Sequence, residues 1–110
     1  LAGTLSGGEQ RMLTLARALV LEPRLLIADE LSLGLAPVIT SEVYDVLARV
    51  RDAGTALLVV EQHVSLVLSI SDRAYLLNRG RVAHAGTAAE LAADGERIEA
   101  GYLGSAATDT

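Results

Sequence analysis

The segment Leu25-Leu26-Ile27-Ala28-Asp29-Glu30 decides the fold class, because four apolar residues are followed directly by two acids. An apolar run without polar alternation is typical of a strand buried on both faces of a parallel sheet. Acids at the carboxyl end of such a strand lie where α/β proteins bind ligands. In isolation, two surface acids after a core strand are the simpler explanation, so the site at this position needs further support.

Helical and strand patterns alternate around this segment. Apolar residues at helical spacing predict helices over 9–20 and 37–53, the second with Pro37 in its first turn and Gly54 just beyond its end. We expect a second apolar strand over 56–60 and a short helix over 64–70. Strands over 74–77 and 82–85 flank Asn-Arg-Gly-Arg, which predicts a tight hairpin. This order predicts βαβ units in a parallel sheet, with the hairpin at its edge.

The last part of the chain carries weaker signals. Thr87 and Glu90 are three residues apart, which predicts a capping box at the start of another helix. A weak helix is expected over 95–103. We assign residues 1–104 to part of one domain and 105–110 to a polar tail.

Composition excludes several classes of protein. The chain has 110 residues, 51% of them hydrophobic, and a formal net charge of −5. This negative balance argues against a nucleic-acid partner, whose binding surface is normally a basic patch. The absence of cysteine excludes disulfides and thiolate metal sites, and no apolar run approaches the ~18 residues of a membrane span.

A second motif, Leu5-Ser6-Gly7-Gly8-Glu9-Gln10, opens the first predicted helix. Two glycines allow close approach of the backbone to a phosphate, and a helix N-terminus offers free N–H groups and a positive dipole end. Taken alone, Ser-Gly-Gly before a helix is usually an N-cap followed by a glycine turn. The complete hexapeptide, however, is the signature of ABC ATPases.

From about residue 1 to 104, the chain resembles the C-terminal half of an ABC transporter ATP-binding subunit, a parallel-sheet P-loop NTPase. The order of motifs matches: signature, helix, acidic strand end, loop, helix, strand, switch region and hairpin. Within the family, the segments 32–37, 60–62 and 100–104 resemble the second ATPase of branched-chain amino-acid importers (LivF-type). Urea importers share part of these segments and remain an alternative.

The resemblance implies a role for each motif. In the family, two subunits sandwich two ATP molecules head to tail, so the hexapeptide from Leu5 to Gln10 is expected to face the partner's ATP. Asp29 is expected to hold Mg²⁺, usually through water, and Glu30 to act as general base or water-orienting group. Gln62 is expected to sense the γ-phosphate. Transmembrane permease subunits are implied as partners, and a periplasmic or extracellular solute-binding protein indirectly, at the cytoplasmic face of the cell membrane.

Three positions depart from the family pattern. Leu31 stands where Pro usually follows the acidic pair, and Ala36 where many members have Asp. Most members carry a switch His, but counting back ten residues from Asp72 leads to Gln62 and not to His63. We expect Gln62 to be the switch residue, because the LivF-like subgroup tends to have Gln there.

The phosphate-binding loop, G-x-x-x-x-G-K-[ST], cannot lie in this chain, because all nine basic residues are Arg. We therefore expect this loop upstream of Leu1. The sequence does not begin with Met, which suggests that its N-terminus is a cut. We expect residues 1–110 alone to be inactive. A non-transport ABC ATPase is disfavoured, since those proteins carry long coiled coils beside these motifs. A binding module with degenerate motifs is disfavoured by the intact signature and acidic pair.

Overall fold

A computed structural model describes residues 7–95. Its elements are α1 (Gly7–Val20), β1 (Leu25–Asp29), α2 (Pro37–Asp52), β2 (Ala56–Val60), α3 (Val64–Ile70), β3 (Arg73–Asn78), β4 (Arg81–Thr87) and α4 (Ala88–Ala93). This order confirms the α/β class. The chain divides into two compact units between His63 and Val64. The assignment of 1–104 to one domain stays a prediction.

The first unit is built on the parallel pair β1–β2, which runs in register from Leu25 opposite Ala56 to Asp29 opposite Val60. Helix α2 connects the two strands and packs against β2. Its buried hydrophobic side chains are Val43, Tyr44 and Leu47, and Leu47 is fully buried. Together with the inward residues of β1, they form the core of this unit.

The two faces of β1 differ in exposure. Leu26 and Ala28 are buried, whereas Leu25 and Ile27 are 51% and 61% exposed. The expectation that this strand is buried on both faces is therefore wrong for the described chain. Successive side chains of a strand point to opposite faces, and here only the face of Leu26 and Ala28 is covered. Leu58 and Val60 of β2 are exposed as well, so one face of the sheet is apolar and uncovered by residues 7–95.

The second unit contains the predicted hairpin, formed by the antiparallel strands β3 and β4. Arg79 and Gly80 both have positive φ, 53° and 74°. A two-residue turn of this kind needs φ > 0 at both positions, which glycine adopts without steric cost. Within this unit, the two strands form a two-stranded sheet.

Helix α4 begins with the predicted capping box. The Thr87 hydroxyl accepts a hydrogen bond from the Glu90 N–H at 3.1 Å, and the Thr87 N–H donates to Glu90 Oε2 at 3.2 Å. Ile70, Ala88 and Leu91 are the buried hydrophobic residues of this unit. The weak helix expected over 95–103 lies, apart from its first residue, outside the described residues, as does the polar tail. Among residues 7–95, no helix is long and apolar enough to cross a membrane.

Candidate active site

The carboxyl ends of β1 and β2 bring Glu30 and Gln62 together. The Glu30 N–H donates to the Val60 carbonyl at 2.8 Å, which extends the strand pairing one residue beyond β1. Just past β2, the Gln62 side chain donates from Nε2 to Glu30 Oε1 at 3.3 Å. A carboxylate and an amide thus meet at the edge where parallel sheets bind ligands.

The backbone reverses sharply at Glu30, whose φ is +51°. Few residues other than glycine adopt this left-handed conformation, and such residues cluster at functional sites. The following loop is compact, because the Leu33 N–H donates to the Glu30 carbonyl and the Leu35 N–H to the Ser32 carbonyl. The reversal turns the Glu30 side chain away from the path of the strand and towards Gln62.

Asp29, the last residue of β1, is exposed. It follows Leu25 and Ile27 in the alternation of the strand, so it belongs to the uncovered face. Mg²⁺ binds through one or two carboxylates together with phosphate oxygens and waters. The open Asp29 carboxylate fits that donor set. The described residues contain no group of three or more candidate ligands, so they form no complete metal cage by themselves.

The signature hexapeptide is described from Gly7 onwards, and Leu5 and Ser6 lie outside the described residues. Gly7, Glu9 and Gln10 are exposed in the first turns of α1, whereas Gly8 is buried. A Cβ atom on Gly8 would lie 2.5 Å from Cγ2 of Ile39 in α2. The crossing of α1 and α2 therefore requires glycine at this position.

A second tie joins α1 to the loop after Glu30. Arg11 Nη2 donates to the Leu33 carbonyl at 3.4 Å. The Arg11 guanidinium thus contacts the backbone of this loop. The loop then enters α2 at Ala36, which makes no side-chain cap, while Pro37 occupies the start of the helix and brings no N–H that needs a partner.

A polar cluster that the sequence did not predict lies beside the Glu30–Gln62 pair. The buried Tyr44 hydroxyl donates to Glu61 Oε2 at 2.8 Å, and the Gln62 N–H donates to Glu61 Oε1 at 3.0 Å. Ser32 Oγ is buried and meets no hydrogen-bond criterion with a described group. It nevertheless lies near enough to the Glu61 carboxylate to favour its charged form.

The electrostatics of the cluster follow from these contacts. Burial raises the pKa of Tyr44, and the adjacent Glu61 carboxylate raises it further. Burial alone would raise the pKa of Glu61 too, but the hydroxyls of Ser32 and Tyr44 and the N–H groups of Gln62 and His63 outweigh it, so that pKa is lowered. The pair is thus a neutral phenol donating to a charged carboxylate.

The switch position lies at Gln62 or His63. Both side chains are exposed, and α3 begins one residue later, at Val64. Gln62 contacts Glu30 through its side chain, whereas His63 supports Glu61 through its backbone N–H. The assignment of Gln62 as the switch residue stays a prediction. The catalytic roles themselves stay predictions.

Comparison with known proteins gives this geometry a context. The family model for ABC transporter proteins matches residues 1–32. The high-affinity branched-chain amino acid transport ATP-binding protein BraG of Pseudomonas aeruginosa is 43% identical over 94% of this chain and 44% of its own length. The probable branched-chain amino acid transport ATP-binding protein LivF of Archaeoglobus fulgidus is 48% identical over 82% of this chain and 39% of its own length. The lipopolysaccharide export system ATP-binding protein LptB of Escherichia coli is 33% identical over 92% of this chain and 42% of its own length.

A solved structure shows the same fold. The chain superimposes on cbiO1 of Clostridium perfringens, part of the ABC transporter complex cbiONQ, with a TM-score of 0.75 and 29% identity, covering 89% of this chain and 39% of that one. In sequence and in fold, the chain is therefore similar to the C-terminal portion of ABC transporter ATP-binding subunits. Within that class, it resembles the ATP-binding proteins of branched-chain amino-acid transport. It spans less than half the length of these relatives.

Proposed function

We propose that the chain is the C-terminal half, with the catalytic carboxylates, of an ATP-hydrolysing subunit of an ABC importer for branched-chain amino acids. The observation that carries the proposal is the hydrogen bond between Gln62 and Glu30 at the ends of two paired parallel strands. The similarity to BraG and LivF supports the substrate class. The proposal places the subunit at the cytoplasmic face of the cell membrane, beside permease subunits.

The chemistry proposed for the site is attack of a water on the γ-phosphorus of ATP, which breaks the bond from that phosphorus to the β–γ bridging oxygen and releases ADP and inorganic phosphate. Glu30 orients the water and accepts its proton, while Gln62 holds one carboxylate oxygen and leaves the other for the water. Asp29 would hold Mg²⁺, which would neutralise charge on the phosphates. Phosphoryl transfer depends mainly on such positioning and charge neutralisation. By the same proposal, residues 1–110 hydrolyse no ATP alone, because they contain no lysine for the phosphate-binding loop.

The signature hexapeptide completes the proposal through a second subunit. Two copies, or this chain and a related ATPase, would place the residues from Leu5 to Gln10 against the ATP held by the partner. A helix N-terminus with two glycines suits a phosphate group. Closure of the two subunits on ATP would then move the permease, and a solute-binding protein would deliver the amino acid from outside.

Deletion of the coding gene, followed by uptake assays, tests the substrate class. We expect loss of labelled leucine, isoleucine and valine uptake, restored by the wild-type gene and not by a gene carrying Glu30→Gln. Unchanged leucine uptake with lost urea uptake would assign the subunit to the urea alternative. Because LptB is also similar, intact uptake of both solutes together with a defect in lipid export would assign it to an exporter.

A further inference from the structure

Glu61 uses both carboxylate oxygens to join two parts of the first unit. Oε2 accepts from the Tyr44 hydroxyl at 2.8 Å, although the two residues are 17 positions apart in the sequence. Oε1 accepts from the N–H of the next residue, Gln62, at 3.0 Å. Glu61 thus fixes the first residues beyond β2 to the middle of α2.

The Tyr44 end of the Tyr44–Glu61 hydrogen bond is held in place by burial. Tyr44 is 4% exposed and lies in the core between Val43 and Leu47. A buried hydroxyl without a partner loses its hydrogen bonds to water and gains none in return, so the Tyr44–Glu61 bond is strongly preferred over its absence. Because Tyr44 is held by packing along its ring, the position of its hydroxyl, and with it that of the Glu61 carboxylate, is well defined.

The Gln62 side chain is only weakly restrained by its own contacts. Its side chain is exposed, and its bond to Glu30 is 3.3 Å long, beyond the usual range for N–H···O. An exposed glutamine has several rotamers, and restricting it to one of them costs conformational entropy. A fixed backbone reduces the number of positions that its amide can reach. The bond from the Gln62 N–H to Glu61 supplies that restraint.

We propose that Glu61 is a positioning residue for ATP hydrolysis, which acts through Gln62 by holding it within reach of Glu30. This inference rests on the proposed function of Glu30 and Gln62. Glu61 does not touch ATP or the attacking water in this proposal. Its loss therefore lowers kcat while leaving KM for ATP nearly unchanged, because the phosphate grip lies elsewhere.

The test is a mutant cycle in the intact ATP-binding subunit, measured as ATPase activity at saturating and limiting ATP. Glu61→Ala is expected to lower kcat by about 10- to 100-fold, the range for a displaced catalytic group. Tyr44→Phe, which keeps the ring and removes the hydroxyl, is expected to lower kcat by roughly 3- to 10-fold. In a Gln62→Ala background, Glu61→Ala is expected to change kcat less than about twofold, since coupled residues are not additive.

Two controls separate positioning from stability. Glu42→Ala removes an exposed carboxylate from the same helix as Tyr44, and Tyr75→Phe removes an exposed hydroxyl. Both are expected to leave kcat unchanged. Glu61→Gln keeps a carbonyl acceptor and is expected to retain more activity than Glu61→Ala. If Glu61→Ala fails to fold, Tyr44→Phe and Glu61→Gln still decide the matter.

The outcomes distinguish this inference from the proposed function. Loss of hydrolysis in Glu30→Gln with full kcat in Glu61→Ala and Tyr44→Phe would overturn the positioning role alone. Multiplicative losses in the double variant would overturn it as well, because Glu61 would then act independently of Gln62. Full hydrolysis in Glu30→Gln would instead overturn the proposed function, whatever Glu61 does.

Discussion

Gln62 and Glu30 are 32 residues apart in the sequence, yet Nε2 of Gln62 donates to Oε1 of Glu30 at 3.3 Å. The parallel register accounts for this proximity, because β1 ends at Asp29 opposite Val60, the last residue of β2. The polar residues that follow the two strands, Glu30 after β1 and Gln62 after β2, therefore lie at the same edge of the sheet. The pair identifies the residues whose replacement is most informative.

Glu30→Gln in the intact subunit should keep Mg·ATP binding, because Asp29 still serves the metal. Turnover should fall by about 10²- to 10⁴-fold, the range for loss of an acid–base group. ATP that is bound but not hydrolysed should hold two subunits together, so a sizing column should show a dimer in ATP. Wild-type turnover in this variant would contradict the role of Glu30.

Gln62→Ala should slow hydrolysis, because the amide that holds Glu30 is lost. His63→Ala should have little effect, since the His63 side chain is exposed and only its backbone N–H supports Glu61. Steady-state ATPase rates of the two variants decide between them, each serving as the other's control. If His63→Ala lost turnover while Gln62→Ala kept the wild-type rate, the switch residue would be His63 and not Gln62.

Gly8→Ala should destabilise the subunit, although alanine favours a helix by about 1 kcal/mol over glycine. The new Cβ would meet Cγ2 of Ile39 at 2.5 Å, and isoleucine in a helix has little rotamer freedom. Overpacking of this kind costs about 1–3 kcal/mol, which outweighs the gain. Denaturant unfolding of the variant measures the difference.

Gly7→Ala is the matched control, because the nearest atom to its Cβ would be Leu35 Cδ2 at 4.0 Å. It should be neutral or stabilising. The double variant Gly8→Ala/Ile39→Ala should lose the clash, so Gly8→Ala should cost much less stability in the Ile39→Ala background. Equal destabilisation by Gly7→Ala and Gly8→Ala would refute the packing explanation.

The Tyr44–Glu61 bond should make stability depend on pH. The pKa of Tyr44 is raised above its ordinary value of 10.0, so its contribution is full below pH 10.0 and is lost as the pH rises through the folded value. The pKa of Glu61 is lowered from 4.5, so its contribution is full above pH 4.5 and is lost as the pH falls through the folded value. The difference in melting temperature between wild type and Tyr44→Phe should therefore be largest at neutral pH and shrink on both sides. A difference that is constant with pH would argue against the pair, and Tyr75→Phe is the control.

Ser6→Arg in the intact subunit should abolish hydrolysis while leaving ATP binding to the same subunit nearly unchanged. A bulky cation in the signature would block closure on the partner's nucleotide. Calorimetry for ATP binding and a hydrolysis assay measure the two properties separately. Loss of ATP binding by the single subunit would show that the signature acts on its own nucleotide instead.

Local signals in the sequence were enough to predict most elements. Pro37 and Gly54 bracket α2 as expected, Asn78 and Arg81 close the hairpin, and Thr87 caps α4. Each of these features depends on residues close together in the chain. The acidic end of β1 was predicted for the same reason, because four apolar residues and two acids are contiguous.

Contacts between distant residues were not predicted. The approach of Gly8 to Ile39 depends on how α1 crosses α2, whereas the sequence suggested either a phosphate contact or a turn for that glycine. Tyr44 and Glu61 meet because α2 packs against β2, which a single sequence does not specify. The same applies to exposure: an apolar strand does not indicate which of its faces another part of the protein will cover.

The hairpin also sets the order in which the chain can fold. Its strands are joined by Arg79 and Gly80 alone, whereas β1 reaches β2 only after α2 and both of its connections have been made. Hairpins form in about 1–10 μs, and pairing between distant strands is slower because a longer loop must close first. We expect β3 and β4 to pair early and the β1–β2 ladder to form later. The edge that joins Glu30 to Gln62 would then be among the last parts of the chain to assemble.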